Sequence, residues 1–282
     1  MHLICDNTRA KSKLLRFSRS ELFAGLFILG CANGVAGRVI RTIEQLGLAN
    51  AILDTFGISV IVLAACFLGI SFIFDEQNDE IRSADIAVSA VLVFLMILPV
   101  SAMSWLAVTA LALYILLFTA ASELCRRGAI ILLATTVPML WSRLLFDLFR
   151  NLILELDASL VALMLGTYRS GNLVEFADHS GTLLILPPCS SLANVSLAML
   201  GWVTISQVMR HRWSHQDILW CLLACASVVA VNVTRISLMG LSHSHYDAIH
   251  NTEGNIVANA ITLGLMVLIC MLGVRREVFS RA

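Results

Sequence analysis

Residues 105–122 read WLAVTALALYILLFTAAS, a run without a single charged side chain. The hydrocarbon core of a bilayer requires a helix of about 20 apolar residues. Seven other stretches are also predominantly apolar, although a few of them contain a charged residue and Gly30, Gly34 and Gly37 interrupt the first. The eight predicted spans are 21–37, 57–74, 86–102, 105–122, 128–148, 189–209, 218–240 and 255–273. The sequence therefore predicts an all-α polytopic membrane protein with about eight transmembrane helices.

The composition excludes several other classes of protein. The chain has 282 residues, of which 59% are hydrophobic and 13% charged, and its mean hydropathy is +0.86. Soluble domains carry about 25% charged residues, so a soluble globular enzyme is excluded, and so is a disordered chain. Because 19 basic residues balance 19 acidic ones, no basic excess remains to neutralise the phosphates of a nucleic acid.

Basic residues orient the predicted spans. Those before the first span predict an uncleaved anchor with its N-terminus in the cytoplasm of a multi-pass plasma (inner) membrane protein. The basic clusters at 126–127, 210–212 and 275–281 then also face the cytoplasm, as the positive-inside rule expects. Two features fit less well, since the connection at 75–85 is acidic and Arg38 and Arg41 fall outside. The N-terminal basic residues are Arg9, Lys11, Lys13, Arg16 and Arg19.

In this topology two polar segments, 149–188 and 241–254, are extracytoplasmic. Apolar spacing over Phe146–Leu165, with charged residues interleaved, predicts an interfacial helix. Two short apolar runs flank His179-Ser180-Gly181, which predicts a short extracytoplasmic hairpin before the sixth span. We expect a single integral-membrane domain over 1–282, comprising five spans in 1–148, the extracytoplasmic segment 149–188, and three catalytic spans in 189–282.

Cys189 follows Pro187-Pro188 and opens the sixth predicted span. An isolated cysteine is usually a small buried residue, as five of the eight cysteines here are expected to be. At the beginning of a helix, however, unpaired N–H groups and the helix dipole favour a thiolate. Cys189 also lies at the outer mouth of its span, where water can reach it.

Arg235 lies late in the seventh apolar run, in the sequence Asn232-Val-Thr-Arg-Ile-Ser. An arginine at the centre of a bilayer costs at least about 2.5–3.5 kcal/mol. One interpretation is that its guanidinium extends to the nearby interface. The other is that the guanidinium is held inside the protein and directed at an anion.

Three histidines, His243, His245 and His250, lie in the second outer segment. His243 and His245 are two residues apart and do not share a helix face, so a zinc site is disfavoured. His250 directly precedes the eighth span and can reach the start of the sixth if those helices are neighbours. A cysteine nucleophile, a histidine acid/base and an arginine oxyanion donor together suit attack on a peptide carbonyl.

These residues resemble, in order and position, the motifs of the exosortase/archaeosortase family of integral-membrane cysteine transpeptidases. Its C-S-G-like, N-x-x-R-like and H-x-x-x-G-like motifs are matched by Cys189-Ser190-Ser191, Asn232-Val233-Thr234-Arg235 and His250-Asn251-Thr252-Glu253-Gly254. Ser191 stands where the family usually has glycine. The resemblance is specific over about the last 100 residues, and earlier residues match only as apolar spans.

The resemblance implies a function and partners. Cys189 would be the nucleophile, Arg235 the oxyanion or substrate-orienting group, and His250 the general acid/base. The substrates would be secreted proteins with a C-terminal sorting tail, cleaved on the outer face and transferred to an acceptor such as an exopolysaccharide or a lipid. No cofactor and no metal is implied, and no nucleotide-binding motif is present.

A second hypothesis is a non-catalytic polytopic scaffold or assembly factor for exopolysaccharide or surface-polymer export. Loss of the usual glycine at Ser191 would favour it, and the reactivity of Cys189 toward a thiol reagent separates the two. A transporter is disfavoured, because no acidic/basic relay crosses the middle of the predicted spans.

Overall fold

The computed structural model describes residues 18–75 and 80–280, without the side chains of 252, 253, 255 and 276–280. The basic residues Arg9, Lys11, Lys13, Arg16 and Arg281 therefore lie outside the described residues, as does part of the acidic connection at 75–85. The helices are α1 (Arg19–Leu53), α2 (Val60–Phe74), α3 (Ser83–Ile97), α4 (Ser101–Phe118), α5 (Glu123–Thr136), α6 (Ser142–Leu165), α7 (Ser191–Val208), α8 (His215–Met239), α9 (His243–Ile249) and α10 (Thr252–Ser280).

Six helical stretches of the described chain are long and apolar enough to cross a membrane. They are Arg19–Leu53, Ser101–Phe118, Glu123–Leu165, Ser191–Val208, His215–Met239 and Ile256–Arg275. α2 and α3 are apolar but have only 15 residues each. The prediction of a helical, polytopic membrane protein is confirmed at this level, whereas length and composition support six spans and not the predicted eight.

Three predicted boundaries differ from the structure. The first span was expected to end at residue 37, but α1 continues to Leu53, with non-helical backbone at Gly47. The third span was expected to reach residue 102, but α3 ends at Ile97 because Pro99 holds Leu98 in extended backbone. The interfacial helix predicted over Phe146–Leu165 is not a separate element. α5 continues through a π-helical turn at Val137–Trp141, which contains Pro138, into α6, and Phe149 marks a kink in α6.

The first five helices share one apolar core, to which Leu200 of α7 also contributes. Trp105 of α4 packs against Gly34 of α1 and donates its indole N–H to the Gly34 carbonyl at 3.1 Å. α2 and α5 cross closely where Gly69 faces Gly128, and a Cβ on either would meet the backbone oxygen of the other. Small residues at such crossings are how membrane helices gain packing contacts.

A buried ion pair joins the beginnings of α1 and α3. Arg19 donates to Asp85 at 2.8 Å, and both side chains are at most 5% exposed. The Tyr114 hydroxyl of α4 donates to the same carboxylate at 2.8 Å, and the Arg82 backbone N–H donates to its other oxygen at 2.9 Å. The sequence predicts Arg19 as part of the basic N-terminal anchor and Asp85 as part of the acidic connection at 75–85. Helix packing buries both instead.

The chain between α6 and α7 forms a small antiparallel sheet in the order β1 (Arg169–Ser170), β2 (Leu173–Glu175) and β3 (Thr182–Leu184). Glu175 pairs with Thr182 across the last two strands. In the loop between them, hydrogen bonds from the Ser180 side chain and N–H lower the pKa of Asp178. One face of the sheet packs on α6 and α8. The Ala177 N–H donates to the Gly240 carbonyl at 2.9 Å, which ties the loop to the end of α8.

Candidate active site

Cys189 ends a 3-10 turn, Pro187–Cys189, directly before α7. Ser190 is the N-cap of α7, and its hydroxyl accepts from the Leu192 N–H. The fixed φ of proline suits the first positions of a helical turn. Cys189 is half-buried and packs on the apolar cluster formed by α6, the sheet and α8. The cysteine is thus held at the beginning of α7, at the end of the bundle where α8 finishes and α10 begins.

Asn232 of α8 joins Cys189 to the neighbouring helix. Its amide nitrogen donates to the Cys189 carbonyl at 2.7 Å and to the Ser191 hydroxyl at 3.0 Å. Asn232 and Ser191 are both buried, at 5% exposure each. The asparagine of the N-x-x-R-like motif therefore has a structural explanation, because it uses both amide hydrogens to fix the backbone around the cysteine.

Asp157 of α6 is a further member of this site that the sequence interpretation missed. It is only 4% exposed, and its carboxylate accepts the Ser191 N–H at 3.0 Å. Sequence spacing had placed it among the charges of an interfacial helix, and nothing in that spacing marks it as different. A carboxylate at the beginning of a helix accepts its free N–H groups and interacts favourably with its dipole, so Asp157 fixes the first turn of α7 directly after Cys189.

The backbone N–H groups around Cys189 are already engaged. Those of Cys189 and Ser190 donate to the Leu186 and Pro187 carbonyls at 2.9 and 3.1 Å. Those of Ser191 and Leu192 donate to Asp157 and to the Ser190 hydroxyl. An oxyanion formed at this cysteine therefore needs its hydrogen bonds from a side chain, and Arg235 is the candidate donor that the motif provides.

Arg235 lies on α8, three residues after Asn232, and is half-buried. It lines an apolar cavity of about 560 Å³ between α8 and α10, together with Ile249 and Gly254. Ile249 and Gly254 flank the turn that carries His250. The Arg235 Nε atom is buried, and the side chain lies beside that turn, on the same stretch of α8 whose Asn232 holds Cys189.

His250 is the C-cap of the short helix α9, and its N–H donates to the Tyr246 carbonyl at 2.8 Å. Its exposed ring stacks on Tyr246, with ring centres 4.8 Å apart and planes at 14°. The Asn251 side chain accepts the Gly254 N–H at 2.8 Å and so caps α10. A Cβ at Gly254 would overlap the Ile249 carbonyl oxygen, so only glycine fits this turn.

The three predicted site residues occupy one end of the bundle, but no hydrogen bond joins the Cys189 sulfur to the His250 ring. Asn232 links Cys189 to the Arg235 stretch of α8, and Tyr246 links His250 to the apolar cluster on which Cys189 packs. Among the described residues, neither the Cys189 sulfur nor the His250 ring makes a hydrogen bond. General acid/base transfer requires an approach to about 3 Å, so α9 has to move or accept a bridging group.

The other two histidines of the segment have local partners. His243 lies 3.7 Å from Asp247, and the His245 ring lies 2.7 Å from the Ser242 hydroxyl. Within residues 18–75 and 80–280, no group of three or more His, Cys, Asp or Glu side chains is arranged to hold a metal ion.

No protein-family model matches the chain, and no curated protein or solved structure is detectably similar to it. The exosortase/archaeosortase resemblance therefore stays a prediction that rests on its three motifs.

Proposed function

We propose that the protein is a membrane cysteine transpeptidase that cleaves the C-terminal sorting tails from secreted proteins and transfers the remaining proteins, through their new C-terminal carbonyl group, to an acceptor. The observation that carries the proposal is the position of Cys189 at the beginning of α7, held through Asn232 to the stretch of α8 that bears Arg235. Buried asparagine and aspartate side chains fix the backbone on both sides of this cysteine, as expected for a preorganised nucleophile.

The reaction proceeds in two steps, which are acylation of Cys189 and transfer of the acyl group to the acceptor. The Cys189 thiolate attacks the scissile carbonyl carbon, the C–S bond forms, and the C–N bond breaks as His250 protonates the leaving amine. An acceptor amine, or water, then attacks the thioester, the C–S bond breaks, and His250 takes up the proton released by the nucleophile. Arg235 donates hydrogen bonds to the oxyanion in both steps.

The apolar cavity beside Arg235 offers a contact surface for part of the tail of such a substrate. Its wall offers aliphatic side chains and small residues between α8 and α10, with Arg235 at the end nearer to His250. An apolar transmembrane segment placed there would carry its preceding peptide toward Arg235 and Cys189. The apolar stem and the charged head of Arg235 suit that junction between hydrocarbon and water.

The proposed topology places this end of the bundle outside the cytoplasm of a plasma (inner) membrane, with eight spans and the sheet of β1–β3 on the outer face. α2 and α3 would complete the eight spans. At 15 residues each they are about 22 Å long, shorter than a hydrocarbon core of about 30 Å. Local thinning of the bilayer and packing against longer neighbours accommodate such a mismatch.

The direct test follows a tail-bearing secreted protein in cells that contain either the wild type or the Cys189→Ala variant. We expect the tail to be removed by the wild type and retained with Cys189→Ala. Cys221→Ala is the matched control, since Cys221 is also half-buried but lies near the other end of α8. Processing that continues in Cys189→Ala would overturn the proposal.

A non-catalytic scaffold for surface-polymer export is the second candidate. The observation in its favour is that the His250 ring is stacked on Tyr246 and not bonded to the Cys189 sulfur. A membrane-impermeant maleimide applied to intact cells distinguishes the two. Rapid labelling of Cys189 supports the transpeptidase, whereas a cysteine that stays unlabelled at neutral pH in folded protein supports the scaffold.

A further inference from the structure

β3 is an edge strand of the small sheet, and the chain leads from it directly to Cys189. In the part of the chain that the structure describes, its one neighbouring strand is β2. The Ile185 N–H donates at 3.0 Å to the carbonyl of Asn172, the residue directly before β2. Because the backbone groups of a strand alternate between its two sides, Thr182 and Leu184 direct their N–H and C=O groups away from β2.

The free edge of β3 comprises these outward groups of Thr182 and Leu184, together with the N–H of Leu186. None of them has a backbone hydrogen bond to another described residue. All three residues are exposed. An open sheet edge does not occur in the hydrocarbon of a bilayer, since lipid chains offer no hydrogen bonds. The free edge therefore lies where water and a peptide can reach it.

This edge lacks the features that keep most hydrated sheet edges unpaired. Natural edge strands carry charged side chains, prolines or bulges that oppose pairing with another chain. The segment Thr182-Leu-Leu-Ile-Leu186 contains no charge and no proline, and its register with β2 is regular over three successive pairs. The opposite edge strand, β1, consists of Arg169 and Ser170 and carries a charge. β3 is thus open to pairing on the side that leads to the cysteine.

Another extended peptide backbone is the ligand that matches the free edge. Its outward residues repeat donors and acceptors about every 6.6 Å, which is the repeat of a second strand. Leu184 lies opposite Leu173 on the exposed face, so alternate side chains of an added strand would contact apolar surface. Pro187 has no N–H and the Leu186 carbonyl accepts the Cys189 N–H, so the pairing ends just before the cysteine.

A second copy of the chain is the competing occupant. Two copies could pair β3 with β3, but the free edge offers only Thr182, Leu184 and Leu186, since the Ser180 N–H already donates to Asp178 at 2.9 Å. Stable protein interfaces bury about 1,200–2,000 Å², far more than so short a pair of strands provides. A substrate that leaves after the reaction needs no such area, so the free edge favours a substrate over a dimer.

We propose that the free edge of β3 binds the substrate as an added strand and holds the residues before the scissile bond extended. This inference rests on the proposed transpeptidase function, in which the tail contacts the apolar cavity beside Arg235. The residues before the tail then leave Cys189 along the sheet and run parallel to β3. At about 3.3 Å per strand residue and about 2 Å per residue of the 3-10 turn, the substrate residue beside Thr182 precedes the scissile bond by about five to seven positions.

Photo-crosslinking in the Cys189→Ala variant tests this docking without any reaction. Thr182→p-benzoylphenylalanine places a photoreactive ring beside the free edge, and the co-expressed tail-bearing secreted protein is the probe. We expect an adduct that maps to the segment of the probe directly before its tail helix. Arg169→p-benzoylphenylalanine, on the opposite edge strand, is the control and should give far less adduct.

Proline separates the contribution of the backbone from that of the side chain. Leu184→Pro removes one outward N–H and leaves the hydrogen bonds to β2 in place, because that N–H does not face β2. It should reduce the Thr182 adduct about tenfold, as expected for the loss of one or two hydrogen bonds to a bound strand. Leu184→Ala keeps the N–H and should keep most of the adduct, and Arg169→Pro on the opposite edge strand should leave it unchanged.

The outcomes distinguish this proposal from the proposed function. Absence of an adduct with the probe, or equal adducts with and without Leu184→Pro, would overturn the docking while Cys189 remained the nucleophile. Adducts formed only between two copies of the chain would assign the edge to a dimer and overturn it as well. The Thr182 adduct requires no proline, so it decides the docking even if Leu184→Pro does not fold. Tail removal that continues in Cys189→Ala would overturn the transpeptidase, and the adduct would still report on the edge.

Discussion

Two hydrogen bonds from the Asn232 amide fix the position of the Cys189 backbone relative to α8. One of them ends on the Ser191 hydroxyl, which glycine could not provide. The backbone at Ser191 is helical and not left-handed, so serine occupies the position without strain. The departure from the usual glycine is therefore compatible with an intact backbone at the cysteine.

Replacing Asn232 by leucine should loosen the cysteine. The Cys189 carbonyl and the Ser191 hydroxyl would lose their partners inside the protein, at a cost of about 1–3 kcal/mol in the free energy of unfolding. Unfolding in mixed micelles measures the loss, and the alkylation rate of Cys189 reports its local order. Asn50→Leu, at an exposed position of α1, is the control. Equal stability of Asn232→Leu and the wild type would contradict the role assigned to this amide.

Substitutions of Asp157 test the second polar contact that fixes the backbone beside Cys189. Asp157→Ala leaves the Ser191 N–H without its acceptor and should cost about 1–3 kcal/mol of stability. Asp157→Asn keeps an acceptor oxygen and removes the charge, so it should restore most of that stability. It should also change the alkylation rate of Cys189, because the carboxylate lies at the same helix end. If Asn restores no more stability than Ala does, the hydrogen bond to Ser191 is not what Asp157 contributes.

The short helix α9 and the turn into α10 control the position of His250. None of the α9 residues is fully buried, and the helix is anchored by the packing of Tyr246. The turn that follows is rigid, since Asn251 caps α10 and Gly254 approaches the Ile249 carbonyl. Tyr246 and His250 belong to the same short element, so an approach of His250 to Cys189 has to move α9 together with the turn, or has to break the stacking of His250 on Tyr246.

Gly254→Ala should displace His250. The new methyl group overlaps the Ile249 carbonyl, so the turn has to open, and tail processing should fall at least about tenfold, since catalysis is sensitive to shifts of about 1 Å. Gly264→Ala on the same helix is the matched control, because a Cβ there meets nothing within 4 Å. Removing glycine from a helix is favourable by about 0.5–1 kcal/mol, so the control should be slightly more stable. Equal processing by both variants would contradict the account of the turn.

At the scale of the whole molecule, the Arg19–Asp85 pair joins α1 and α3 at the end of the bundle opposite to Cys189. Removing one partner leaves the other charge buried, so Arg19→Met or Asp85→Leu should each cost about 3–5 kcal/mol. The double variant should cost much less than the sum, which a double-mutant cycle measures. Asp147→Ala, which breaks an exposed pair with Arg150, should cost at most about 1 kcal/mol. Additive losses at Arg19 and Asp85 would show that the pair is not coupled.

Features that depend on residues close together in the sequence could be predicted, whereas contacts between residues far apart could not. The apolar runs predicted the helices, and the His250–Gly254 motif and the Cys189 motif predicted features at helix ends. Asp157 contacts a residue 34 positions away, and Arg19 contacts one 66 positions away. Such pairs depend on which helices become neighbours, and hydropathy carries no information about that. The end of α3 at Ile97 was predictable from Pro99 but was obscured by the apolar residues that follow it.

Peptide mapping shows whether Cys189 forms a thioester with a substrate. Protein purified from cells that make a tail-bearing substrate is digested with and without prior hydroxylamine treatment and analysed by mass spectrometry. We expect a peptide adduct on Cys189 that hydroxylamine removes, with none on Cys221. An unmodified Cys189 in cells that still process the tail would contradict it.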